Sequence, residues 1–102
     1  MIKVMALMKR KDGMSFQDFR KWILEDHVAF ARNLPGLRKY TSNVLRAENA
    51  DAPFDGMSEM YFDDEAAMAA AFSTEAGKEA GGDAAAHCSN RFRMVCDEKQ
   101  QF

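Results

Sequence analysis

The chain has 102 residues, an apolar fraction of 47%, a charged fraction of 29% and a formal charge of −2. That size fits one domain with a modest core and little stability to spare. Lys and Arg are scattered rather than gathered in a stripe, which argues against nucleic acid or an anionic membrane surface as partner; a local Arg can still receive an acidic substrate. No apolar run approaches the ~20 residues of a membrane span, and no cationic start leads into an apolar stretch as a secretory leader would. Cys88 and Cys96 form neither a CxxC pair nor a disulfide framework, so a cytoplasmic, reducing setting is expected, with Cys96 read as a small buried hydrophobe. The 8 methionines suit ordinary core filling, and equally a deformable, ligand-accepting cavity.

The first segment, Ile2 to Arg10, alternates loosely and predicts a strand that ends at Lys11-Asp12-Gly13. Ser15 then reads as a helix N-cap, with Asp18 three residues on. Phe16, Phe19, Ile23, His27, Phe30 and Leu34 recur at steps of three and four, the apolar face of one continuous helix that Pro35-Gly36 terminates. A second strand is predicted over Leu37 to Arg46, a surface loop over Ala47 to Gly56 and a third strand over Met57 to Phe62. Asp63-Asp64 opens an alanine-rich helix to Phe72, and Ser73 or Thr74 caps a further helical piece to Ala86, weakened by three glycines. Asn90 to Asp97 is the expected last strand. Residues 1–98 are read as a single domain and 99–102 as a frayed tail.

The order is β-α-β-β-α-β. Strand starts at Ile2 and Leu37 lie 35 residues apart, and those at Met57 and Arg91 lie 34 apart. Two equal crossovers predict an α+β, ferredoxin-like split βαβ fold: a four-stranded antiparallel sheet with both helical layers on one face. Strand parity assigns Ile2, Val4, Ala6 and Met8, Tyr40, Ser42 and Val44, Met60 and Phe62, and Phe92, Met94 and Cys96 to the face under the helices. The opposite face then carries Met5, Leu7, Met57, Tyr61 and Val95 among Lys39, Thr41, Glu59, Arg91 and Arg93. That mixture is too apolar for water, and a two-fold homodimer packing sheet on sheet would cover it.

His27 is the leading candidate for chemistry. It stands in an apolar helical stripe where a Leu would pack at lower desolvation cost, and an imidazole can move a proton near neutral pH. The alternative is a core histidine satisfied by one partner. Tyr40 shares the inferred inner face and can polarise a carbonyl through its hydroxyl, or serve only as a core aromatic. Ile23, Phe30, Met60 and Phe62 are candidate apolar walls, or plain core. Asp26 is expected in solvent. His87 and Cys88, adjacent in an expected loop, fall short of a metal ligand set. Gly77, Gly81 and Gly82 lack the Lys and the strand-to-helix setting of a phosphate loop, so no nucleotide, nicotinamide or metal cofactor is expected.

The segments MIKVMALMKRKDGMSFQDFR, HVAFARNLPGLRKY and DGMSEMYFDDEAAM resemble the EthD family, and the likeness runs from Met1 to about Glu98. Its most specific piece is a helical His followed by a PGLRKY turn, here His27 and Pro35 to Tyr40. Methylmuconolactone isomerases, polyketide cyclases and cofactor-free antibiotic-biosynthesis monooxygenases share the pattern more loosely. The resemblance implies a dimeric α/β barrel with one pocket per subunit between helices and sheet, and a link to bacterial oxidative breakdown of small organic compounds. In the isomerase branch the positions matching His27 and Tyr40 are implicated in the active site. Met60 stands where that branch has a cysteine, and Val28-Ala29 where many relatives have a proline. The expected function is a cofactor-free isomerase- or lyase-type enzyme moving a proton on a small apolar carbonyl compound or lactone. An oxidoreductase or monooxygenase component, and a small-ligand carrier without turnover, are the alternatives.

Overall fold

The computed structural model describes residues 1–102. Its elements are β1 (Ile2–Arg10), α1 (Phe16–Lys21), a π-helical turn (Trp22–Asp26), α2 (Val28–Ala31), β2 (Lys39–Val44), β3 (Gly56–Phe62), α3 (Glu65–Phe72), α4 (Glu75–His87) and β4 (Cys88–Cys96). The sheet order is β2-β3-β1-β4, and every neighbouring pair is antiparallel. This is the ferredoxin-like arrangement, in which each helical crossover links two strands that are not neighbours.

Local chemistry accounts for where the helices start and stop. Ser15 Oγ accepts from the Asp18 N–H at 3.0 Å, Asp64 Oδ1 from Ala67 N–H at 2.8 Å and Thr74 Oγ1 from Gly77 N–H at 3.1 Å. Each cap satisfies a donor with no intrahelical partner and contributes about 1 kcal/mol. Gly36 turns the chain at φ +76°, the left-handed region that L side chains avoid. α4 runs directly into β4, so His87 ends a helix and Cys88 opens a strand, with no loop between them.

The expected single helix is interrupted. The His27 N–H bonds the Trp22 carbonyl at 2.9 Å, an i→i+5 contact, and the wider turn brings an extra residue, Trp22, to the buried face. Trp22 and Ile23 are both buried; further on Ala31 is buried where Phe30 was expected, and Phe30 is only half-buried. Gly56 makes this close approach possible: a Cβ there would lie 2.6 Å from Ile23 Cδ1 and 2.7 Å from the Asn43 carbonyl.

The core forms two clusters on the helix side of the sheet. One gathers Val4, Leu34, Met60, Phe62 and Ala71; the other gathers Met8, Phe19, Trp22, Ile23 and Ala84. Each fully buried large side chain contributes about 1.5–3 kcal/mol of transfer free energy.

Parity holds for three strands and is inverted on the fourth. Val4 pairs with Val95, Ala6 with Arg93 and Met8 with Arg91, so Arg91, Arg93 and Val95 lie on the helix side. Phe92, Met94 and Cys96 pair with Leu7, Met5 and Lys3 on the outer face. The apolar alternation of this edge strand therefore serves the outer face, where Cys96 Sγ lies 3.9 Å from Met5 Sδ. A bulge between Lys9 and Arg10 shifts the pairing near Ser89.

Candidate functional site

A cavity of about 730 Å³ opens between the helices and the sheet, within the range of small-molecule sites. It touches both clusters: Leu34 and Met60 come from one, Met8 and Ala84 from the other. Small side chains on α4, among them Ala80 and Gly81, leave the room. His27, Tyr40 and Ser58 are the polar residues of its inner wall.

The π turn delivers His27. In a regular helix the fifth residue on would rotate away from Trp22. Here both rings lie on one side, with centroids 4.7 Å apart, and both reach Asp83 of α4. Asp83 Oδ2 lies 2.8 Å from His27 Nδ1 and accepts from Trp22 Nε1–H at 3.0 Å. The indole can only donate and an ionised carboxylate can only accept, so Nδ1 of His27 carries the proton. Nε2 of the neutral ring is then the basic nitrogen, and no side chain or backbone group of the protein claims it. His27 is 8% exposed, so the carboxylate is screened little by water and holds the ring firmly.

His87 completes the cluster. It stacks on Trp22 with centroids 4.6 Å apart and planes at 14°, and its Nδ1 donates to the Asp83 carbonyl oxygen at 2.7 Å. The Asp83 backbone and side chain are thereby both engaged. Asp26 is exposed and pairs with Lys21 at 3.0 Å.

On the sheet, Tyr40 of β2 and Ser58 of β3 are diagonal neighbours with their oxygens 3.1 Å apart. Ser58 is 2% exposed; if its hydroxyl donates to Tyr40, the phenol keeps its own proton for a ligand. Cys88 also lines the cavity, but burial pushes its thiol up to about 11, so near neutral pH it is a protonated wall and no nucleophile.

Of the residues singled out from the sequence, the cavity brings together His27, Tyr40 and Met60. Ile23 and Phe62 are fully buried in the packing behind it. Phe30 flanks the His27 ring at 6.2 Å without lining the cavity. Asp83, Trp22, Ser58, Arg91 and Arg93 were not foreseen as site residues. The Asp83–His87 spacing of one helical turn and the chain's single tryptophan were the available signals. No three His, Cys, Asp or Glu side chains are grouped so as to hold a metal ion, and no helix is long and apolar enough to cross a membrane.

The same architecture recurs among solved structures. The chain is similar to an ethyl tert-butyl ether d (ethd) family protein of Bacillus halodurans, at 28% identity over 97% of this chain and 99% of that one, with a TM-score of 0.81. It is similar in fold to a dimeric ferredoxin-like protein of unknown function from Thermobifida fusca, 17% identical over 93% of this chain and 88% of the other, TM-score 0.75. An antibiotic biosynthesis monooxygenase shares the fold at 19% identity, covering 98% of this chain and 100% of its own, TM-score 0.66. A search of curated proteins returned no match. The EthD domain matches residues 11–89, well over half of the chain, and the protein belongs to the EthD family.

Proposed function

We propose that the protein is an enzyme that moves a proton within a small, mostly apolar carbonyl compound or lactone, without a cofactor. The observation that carries this reading is the His27–Asp83 pair at 2.8 Å, which leaves Nε2 as the basic atom of a residue lining the cavity. Nε2 takes a proton from the carbon next to the carbonyl, and the charge moves to the carbonyl oxygen. Tyr40 donates to that oxygen, backed by the Ser58 hydroxyl. The imidazolium, stabilised by Asp83, returns the proton to a different carbon, so the reaction is a net isomerisation. Met60 and Leu34 supply the apolar wall.

The test is deuterium wash-in, followed by NMR in D2O, across a panel of lactones and cyclic ketones. The wild type should exchange at least one of them, and His27→Gln should slow exchange by ~10²–10⁴ with its melting curve intact. Equal rates in both proteins, or no exchange with any compound, would refute the proposal.

The working unit in this reading is a homodimer in the cytoplasm. Phe92 and Met94 are 57% and 42% exposed on the outer sheet face, beside Met5 and Leu7, and a structural neighbour is described as dimeric. Light scattering should give about twice the 11.5 kDa chain mass, and Leu7→Glu should shift the protein towards monomer. A wild-type monomer at micromolar concentration would overturn it.

A further inference from the structure

The cavity is basic in an acidic protein. The chain holds 16 Asp and Glu against 14 Lys and Arg, yet the cavity wall contains no Asp or Glu and two arginines, Arg91 and Arg93. Both stand on the helix side of β4, at the solvent-exposed end of the cavity. Neither is paired with a carboxylate, whereas Arg10 and Arg38 are held by Glu48 and Asp63. Each is nevertheless oriented by one contact. Arg91 Nη1 donates to the Gly81 carbonyl at 3.2 Å, and the Arg93 guanidinium lies 4.3 Å from the centroid of Phe72, which lines the same cavity. A guanidinium stacked on an aromatic face keeps its edge N–H groups for another acceptor.

We infer that the ligand is an anion: an apolar body of ring size carrying a carboxylate, which Arg91 and Arg93 receive at the mouth while the body extends towards His27 and Tyr40. The inference rests on the same cavity as the proton-transfer reading and adds the polar handle that fixes the substrate's direction. Two neighbouring guanidinium groups suit a planar carboxylate, which accepts paired N–H donors. Net charge opposes the approach of an acid to this protein as a whole, so recognition has to be local.

The experiment compares phenylacetate with phenylacetamide, titrated into ¹⁵N-labelled protein and followed at the Arg91 and Arg93 Nε–H signals. The acid should bind ~10–100-fold more tightly than the amide, as expected for hydrogen bonds to an ionised acceptor, and added salt should weaken the acid alone. In Arg91→Gln/Arg93→Gln the two affinities should converge, while Arg91→Lys/Arg93→Lys should keep part of the preference. Because Arg93 also packs on Phe72, Arg91→Gln alone must lower the preference as well. Equal affinities in the wild type, no binding of the acid at millimolar concentration, or an undiminished preference in the glutamine variants would overturn the inference. His27→Gln separates it from the catalytic reading: an acid preference kept in that variant supports the anion site even if no compound is ever turned over.

Discussion

The first helical crossover, α1 through α2, buries Phe16, Phe19, Trp22, Ile23 and Ala31. The second, α3 and α4, occupies the equivalent place and buries only Ala71, Gly77 and Ala84. The two connect strands in the same way and lie on the same face of the sheet, yet one fills space and the other leaves it. Large side chains anchor the first against β1 and β3. Small ones on the second fail to fill the space towards β1 and β4, and the cavity lies there. Topology therefore places the elements, while side-chain volume decides which half holds the void. The polar link between the halves is one carboxylate: Asp83, from the small-residue crossover, holds both Trp22 and His27 of the bulky one.

The sharpest break in that contrast is Phe19→Ala. Phe19 is fully buried, so the change should cost about 3–5 kcal/mol in urea unfolding. A loss below about 1 kcal/mol would mean that the first crossover does not anchor the fold.

Asp83→Asn cuts the link between the halves. Without a carboxylate, the His27 ring loses its fixed tautomer, and exchange with any substrate found should fall by ~10²-fold. The ¹⁵N signals of the ring should change from one tautomer to a mixture. An unaltered ring spectrum would remove Asp83 from the mechanism.

Ala80→Leu reverses the character of the second crossover by putting bulk into the cavity that Ala80 lines. Stability should change by no more than about 1 kcal/mol, because the side chain enters open space. Phenylacetate binding should nevertheless disappear. Retained affinity would place the ligand elsewhere.

The smallest effect belongs to neither crossover. On the outer sheet face Lys3 pairs with Glu59, and that hydrogen bond holds the Glu59 carboxyl below its ordinary value. A folded-state value below the unfolded one adds stability above the ordinary carboxylate range, and this stability is lost as pH falls through the lowered value. Glu59→Gln should therefore flatten the acid side of the melting-temperature profile slightly, within the range of solvent-screened pairs. The wild type and variant should converge in strong acid; a difference that grew as pH fell would contradict the assignment.

Much of this protein was determined locally. Ser15, Asp64 and Thr74 mark their helix starts because a side-chain oxygen one turn before a free N–H acts over a few residues. Pro35-Gly36 stops a helix for equally local reasons, and period-two alternation put Tyr40 and Met60 on the inner face. His27 stood out because an imidazole in an apolar stripe needs a partner. What that partner is lay out of reach, because Asp83 is 56 residues away and only tertiary packing brings it to the ring. The π turn had the same origin: it aligns Trp22 with His27 towards one shared carboxylate, which no spacing within the helix announces. Strand four was misjudged because an edge strand has two half-polar faces, and its alternation does not say which face the helices cover. Pairing with β1 decided that, turning Phe92 and Met94 outward and Arg91 and Arg93 inward. Periodicity and capping act over a few residues and are legible in the chain; register and the meeting of distant side chains depend on the whole sheet, and only the tertiary structure decides them.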